Sequence, residues 1–226
     1  MKHRRPGLQQ RWAYVVNSIQ GIISSYELAS RRISLNADRR MRAEVVAHAV
    51  KGGWCVLDMG SGPGTLSRPV SQAGGEPVLL DVSGAMLRTA PFPNRVRGTF
   101  ENLPFRDGAF DSVVSGFAVR DALDLPTALV QVRRVLKRGG RFAFCDIGKP
   151  SSRLKALLVG VYMRVVPGVV GLVTAGRAGL KYVSLYDTYL LLLNNSELAH
   201  ALRELFRVVS VHETQMGGSV VVTCKD

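Results

Sequence analysis

The stretch Val56-Leu57-Asp58-Met59-Gly60-Ser61-Gly62-Pro63-Gly64 constrains this chain more than any other. A short apolar run ends in an acid and opens at once onto glycines at 60, 62 and 64. Such a run reads as a buried parallel strand feeding a tight turn. Glycine lets the backbone turn sharply and lets a ligand approach the main chain. If a helix follows, its first N–H groups point at whatever fills the turn. Thr65 stands where a dinucleotide fingerprint places its third glycine. No Gly-Lys-Ser/Thr ending follows, which excludes a P-loop. Asp58 would repel a pyrophosphate and suits a cationic ligand carrying an amine.

A chain of 226 residues with 46% apolar content predicts one domain with an elaboration and a sizeable core. Its net charge of +13 calls for a partner of opposite sign: nucleic acid, an anionic membrane surface or an acidic substrate. Cys55, Cys145 and Cys224 lie far apart in apolar runs, without metal spacing, and read as reduced core thiols of a cytoplasmic protein. The basic start and the polar breaks between Leu8 and Ile23 fit neither a signal peptide nor a spanning segment.

Residues 1–50 read as helical and basic. Leu8, Trp12, Val15, Val16, Ile19, Ile22 and Ile23 form one apolar stripe. A polar bend over Tyr26–Ser34 precedes a second helix from about Ala37 to Val50, with Met41, Val45, Val46 and Ala49 inward. Arg31, Arg32, Arg39, Arg40 and Arg42 read as a solvated face, or as a cluster able to touch phosphates. From about Lys51, strands and helices alternate, which predicts a parallel sheet covered on both faces. The strands fall at Trp54–Met59, Pro77–Leu80, Val96–Thr99, Ala109–Phe117 and Arg141–Ile147, followed by an antiparallel pair at Val208–Glu213 and Ser219–Cys224. A helix over Thr127–Lys137 is expected to stop at Gly139-Gly140. Asp81 ends the second strand about 20 residues past the glycine turn, where such folds place a ribose-binding carboxylate. Leu154–Ala175, broken by Arg164 and Pro167, reads as too interrupted to span a bilayer and as one or two short apolar helices over the site or against a membrane.

The glycine turn, Asp81-Val82-Ser83 with Met86-Leu87, Glu101-Asn102-Leu103-Pro104-Phe105 and Arg134-Val135-Leu136-Lys137-Arg138-Gly139-Gly140 occur in the order of class I S-adenosylmethionine-dependent methyltransferases. Tyr26-Glu27-Leu28, the Gly-Phe-x-x-Arg of residues 116–120 and Lys149-Pro150 narrow the match. From about residue 24 the chain resembles the ubiquinone/menaquinone biosynthesis C-methyltransferase family. It departs from that pattern at Asp121, where the family has Asn, and at Thr99-Phe100, where it often has Asp. The resemblance implies an α/β fold: a class I methyltransferase Rossmann-like sheet of seven strands, mostly parallel with an antiparallel C-terminal strand, and helices on both faces. It divides the chain into an N-terminal helical lid over 1–50 and a cofactor-binding domain over 51–226, with an apolar substrate-covering insertion at about 151–195. It implies S-adenosylmethionine as cofactor, leaving as S-adenosylhomocysteine, held by Asp58, Gly60, Ser61, Gly62, Gly64, Asp81, Val82, Met86, Glu101, Asn102, Leu103 and Gly116. Arg120 and Asp121 become the catalytic pair, and Tyr26, Arg120, Tyr162 and Tyr182 the acceptor contacts. No metal is required.

The implied reaction methylates a ring carbon of a prenylated quinol. Phenols titrate near 10, so the site must supply a base or stabilise the phenolate. Arg120 suits stabilisation, because a guanidinium stays protonated; Asp121 is the adjacent carboxylate. An apolar region over Leu154–Leu193 suits an isoprenoid tail, and a basic surface suits a substrate dissolved in an anionic membrane. The localisation that follows is cytoplasmic, peripheral on the inner membrane face. An RNA methyltransferase, motivated by the charge, lacks basic residues interleaved with aromatics. Another small-molecule or lipid acceptor stays open, as does a homodimer. A cofactor-fold binding module without turnover is disfavoured by Asp58, the glycines and Asp81.

Overall fold

A computed structural model describes residues 26–226. The expected stripe from Leu8 to Ile23 lies outside them. Helices α1 (Tyr26–Ile33) and α2 (Ala37–Ala49) lead into strand β1 (Cys55–Met59). Then come α3 (Ser67–Gln72), β2 (Glu76–Asp81), α4 (Gly84–Thr89), β3 (Arg95–Arg97), β4 (Phe110–Gly116), α5 (Leu125–Val135) and β5 (Leu136–Ile147). The chain closes with α6 (Arg153–Ala175), a 3-10 segment over Gly176–Val183, α7 (Ser184–Leu191), α8 (Asn195–Arg203), β6 (Val208–Thr214) and β7 (Ser219–Lys225). The sheet order is β3-β2-β1-β4-β5-β7-β6, with β7 antiparallel to both neighbours and every other pairing parallel. The chain reverses direction across the sheet between β1 and β4, and ligands of open α/β sheets bind at such a switch point.

The central strands β1, β4, β5 and β7 are buried on both faces over most of their length, as a covered sheet requires, while the edge strands β3 and β6 are largely exposed. Successive residues point oppositely. Leu57, Val113, Phe142, Phe144, Val220 and Val222 pack with Leu129 and Val132 of α5 and Leu202 of α8. Val56, Val114, Ala143, Cys145 and Val221 pack with Met41, Val45, Val46 and Ala49 of α2. The three cysteines are free thiols, two of them buried.

Three expectations change. Tyr26–Ile33 is a helix rather than a bend, because it is held from outside: the Tyr162 hydroxyl donates to the Ile33 carbonyl at 2.7 Å, and Ile33 packs on Tyr182. α5 ends at Val135, before Gly139-Gly140; Leu136 already pairs with Phe110, and the glycines lie in a register shift of β5 that Lys137 ties to Asp111 at 2.8 Å. α6 is one continuous helix of 23 residues despite Pro167, long and apolar enough to cross a membrane. Val159, Met163, Pro167 and Gly171 form its buried stripe at i+4 spacing. Pro167 therefore lies within a packed seam, where tertiary contacts outweigh its lost hydrogen bond. At Gly171 and Gly179 the helix and the 3-10 segment touch backbone to backbone, and a Cβ on either would overlap the other's carbonyl.

Candidate active site

Two pockets meet above the ends of β1, β4 and β5. The first follows from the glycine turn. Gly60, Ser61, Gly62 and Pro63 form one wall, Asp81, Val82 and Met86 another, Glu101 and Phe100 a third, and Gly116, Ala118, Asp121 and Arg42 close it. Gly60 has φ +74°, and a Cβ there would overlap that of Ala118 and come within 2.9 Å of Phe100 Cζ. The cradle therefore exists only because no side chain fills it. Asp81 accepts from the N–H groups of Gly62 (2.8 Å) and Ser83 (2.7 Å), which fixes its carboxylate at the pocket wall. Burial raises its pKa, and those N–H groups oppose the rise. Glu101 accepts from the Leu123 N–H at 2.7 Å and ties the loop after β4 to the same wall.

Asp58 lies behind the turn, 1% exposed, and accepts from the Ser67 hydroxyl at 2.6 Å. Its other oxygen, Oδ1, has no partner among the described residues. Burial pushes this carboxyl up to about 6, against the pull of Ser67 and Arg42. A carboxyl raised on folding binds more protons folded than unfolded, so its stabilisation is full below 3.8 and is lost as pH rises through about 6. In thermal melts of the ligand-free protein, Asp58→Asn is expected to flatten the fall in stability over that window; an unchanged profile would contradict this assignment.

The second pocket is an apolar cavity of about 540 Å³. Leu158, Val159, Tyr162 and Met163 of α6, Tyr182 and Leu185 line one side, and Ile33, Phe117, Ile147 and Met216 the other. Phe117, in the left-handed region at φ +64°, is shared by both pockets. Strained backbone of this kind gathers at functional sites. Arg120 and Asp121 are neighbours in sequence but face different pockets: Arg120 lines the apolar cavity and Asp121 the first pocket. The Arg120 side chain is 9% exposed. Its guanidinium meets Asp146 Oδ1 at 2.7 Å and donates to the Phe117 carbonyl, while Asp121 is 3.8 Å away. Asp146 Oδ2 also accepts the Arg120 N–H at 3.0 Å. Burial raises Asp121 to about 6, with Arg120 opposing and Asp146 reinforcing.

A methyltransferase domain family matches residues 57–144. A demethylmenaquinone methyltransferase from Streptomyces avermitilis is 31% identical over 206 residues, covering 88% of each chain. The chain belongs to the ubiquinone/menaquinone biosynthesis C-methyltransferase family. A ubiquinone/menaquinone biosynthesis C-methyltransferase from Syntrophotalea carbinolica is 32% identical over 189 residues and covers 78% of each chain. Among solved structures, a SAM-dependent methyltransferase from Thermotoga maritima superposes with TM-score 0.66 at 18% identity, over 93% of this chain and 98% of that one. This methyltransferase thus has the class I fold and is an S-adenosylmethionine-dependent enzyme.

The first pocket fits that cofactor on its own terms: an empty glycine cradle, a carboxylate at the end of β2, and a buried acid whose free oxygen can meet a cation. Of the expected cofactor contacts, Gly60, Ser61, Gly62, Asp81, Val82, Met86, Glu101 and Gly116 line this pocket of the methyltransferase. Gly64 instead packs on Phe92, Asn102 is exposed, and Leu103 sits in the core. Tyr162 and Tyr182 line the apolar cavity. Tyr26 begins α1, and its side chain lies outside the described ones. Sequence reasoning missed Arg42, Phe100, Ala118, Leu123 and Asp146. Arg42 carried a signal: it stands three and four residues before Val45 and Val46, on the inward face of α2. Asp146 carried another, as an acid inside an apolar strand.

Lys149 of the Lys-Pro pair has a structural task. Its ammonium donates to the carbonyls of Leu190 and Leu192 at 3.2 and 3.1 Å, holding the C-terminal end of α7 beside the cavity.

Proposed function

We propose that this enzyme methylates a ring carbon of a prenylated quinol of the demethylmenaquinone type, taken up at an anionic membrane surface. The observation that carries this reading is an apolar cavity with one cation, Arg120, buried in its wall and held there by Asp146. The names of its relatives support the same acceptor class. Asp58, the glycine cradle, Asp81 and Glu101 would hold the cofactor. When bound, S-adenosylmethionine supplies a methyl group on a positively charged sulfur, which a carbon nucleophile can take. The residues here prepare that nucleophile. Arg120 faces the acceptor with a charge that cannot be titrated away, and a guanidinium in an apolar wall stabilises a phenolate more than it would in water. Asp38 is the carboxylate that lines this cavity and is able to accept the phenol proton, while Asp121 lines the first pocket and orients Arg120 from 3.8 Å. Val159, Met163 and Leu185 keep water from the ring, and Tyr162 ties the cavity wall to α1.

The tail would leave along the outer face of α6. There Leu154, Leu157, Val161, Val165, Val169 and Val173 are each at least half exposed. Between residues 147 and 186 the chain carries Lys149, Arg153, Lys155, Arg164, Arg177 and Lys181 and no acid. An apolar face flanked by cations is the signature of a helix lying in an anionic interface. On this reading the enzyme works in the cytoplasm, peripheral on the inner face of the membrane. It is expected to cosediment with phosphatidylglycerol vesicles and not with phosphatidylcholine vesicles, and to lose binding as salt rises. With methyl-labelled cofactor and a lipid extract of the host, label should enter a quinone. Label in RNA or in a water-soluble product would overturn the proposed acceptor.

A further inference from the structure

The charges around the two pockets are unequal. Asp81, Glu101 and Asp121 line the first pocket against one cation, Arg42, whereas Arg120 and Asp38 offset each other in the apolar cavity. Two of the three acids are already engaged: Asp81 accepts from Gly62 and Ser83, and Glu101 from Leu123. Asp121 is not. Its ion pair with Arg120 Nε spans 3.8 Å, beyond a hydrogen bond, while Arg120 Nη1 is taken by Asp146 at 2.7 Å. Among the described residues its carboxylate accepts no hydrogen bond. With 27% of its side chain exposed, it is open to a ligand in the pocket yet only partly screened by water. It is also where the chain departs from its family, an acid standing for an amide.

Its place along the site decides which part of a donor it faces. Arg120, the residue before it, lines the apolar cavity, and Phe117, at the start of the same turn, lines both pockets. Asp121 therefore stands where the pockets meet, and a methyl group passing from one to the other must cross there. We infer that Asp121 faces the sulfonium end of the cofactor and makes the pocket favour the charged donor over the neutral thioether it becomes. This rests on the reading of the first pocket as the S-adenosylmethionine site. Methyl transfer breaks the S–CH3 bond and leaves its electron pair on sulfur; the ring carbon supplies the pair for the new C–CH3 bond and gives up its hydrogen as a proton. The positive charge beside Asp121 is thereby lost, and with it the attraction that held the donor. A carboxyl raised only to about 6 is ionised at neutral pH and can supply that attraction. The spent donor is then held less tightly than the fresh one.

The test is calorimetric binding, at neutral pH, of three ligands of one shape: S-adenosylmethionine, S-adenosylhomocysteine, and sinefungin, which carries a protonated amine on carbon in place of the methylated sulfur. Asp121→Asn keeps the side-chain shape and removes the charge. It should bind S-adenosylmethionine and sinefungin about tenfold more weakly, a loss between the bulk-water and near-surface strengths of one charge pair. Its affinity for S-adenosylhomocysteine should change less than about twofold, so the ratio of donor to product affinity falls about tenfold. Asp121→Glu keeps the charge and should keep most of that ratio. Arg120 retains Asp146 in both variants, so both should fold. Equal changes for all three ligands would overturn the inference. So would an unchanged ratio with slowed methyl transfer, which would leave Asp121 a role in positioning Arg120 alone. Binding of none of the three to the wild type would instead refute the cofactor site, and the inference with it.

Discussion

Arg120→Ala is expected to reduce methyl transfer on the order of a thousandfold while leaving cofactor affinity close to the wild-type value, because loss of one preorganised charge at a reacting oxygen costs that much. The separation follows from placement: Arg120 lines the apolar cavity, and the first pocket is lined by its neighbour Asp121. Steady-state transfer to a quinol analogue gives the first quantity and calorimetry the second. Arg120→Lys keeps the charge but loses the geometry that satisfies Asp146 Oδ1 and the Phe117 carbonyl together, so it should recover little. Asp146→Ala leaves the guanidinium buried beside a missing partner and should destabilise the fold by about 3–5 kcal/mol. Transfer at the wild-type rate by Arg120→Ala would end the proposed mechanism.

Gly60→Ala is expected to abolish cofactor binding, a loss of about a hundredfold or more. Three effects act together: a left-handed conformation costing about 1–2 kcal/mol for a residue with a Cβ, overlap with Ala118, and crowding of Phe100 at 2.9 Å. Gly62→Ala provides the control. Its φ of +55° carries the same backbone cost, but an added Cβ there meets nothing within 4 Å. Its loss should stay near about tenfold or below. Equal affinities for Gly60→Ala and the wild type would show that the turn is not the cradle.

What could be read in advance was local. Asp58, the glycines and Asp81 are set by strand-turn-helix geometry within about 25 residues, and their types report the ligand directly. The antiparallel ending was legible from two alternating runs separated by a short turn. Arg42 and Asp146 were hidden because their partners arrive from distant elements: α2 over the end of β4, and β5 beside the turn after β4. The helix over Tyr26–Ile33 was hidden for the same reason, since Tyr162 and Tyr182 support it from more than a hundred residues away. Pro167 misled in the opposite direction. It reads as a breaker, but its place in the i+4 seam of α6 lets packing carry the helix through.

The contact between Gly171 and Gly179 decides where this enzyme can be retuned for another acceptor. Two backbones meet there with no side chain between them, so any enlargement wedges the cavity wall away from its support and cannot reshape it. Leu158, Met163 and Leu185 are side chains in the wall itself, free to be exchanged for larger or smaller ones without moving that joint. A library aimed at new ring substituents belongs at those three positions, with the glycine pair held fixed.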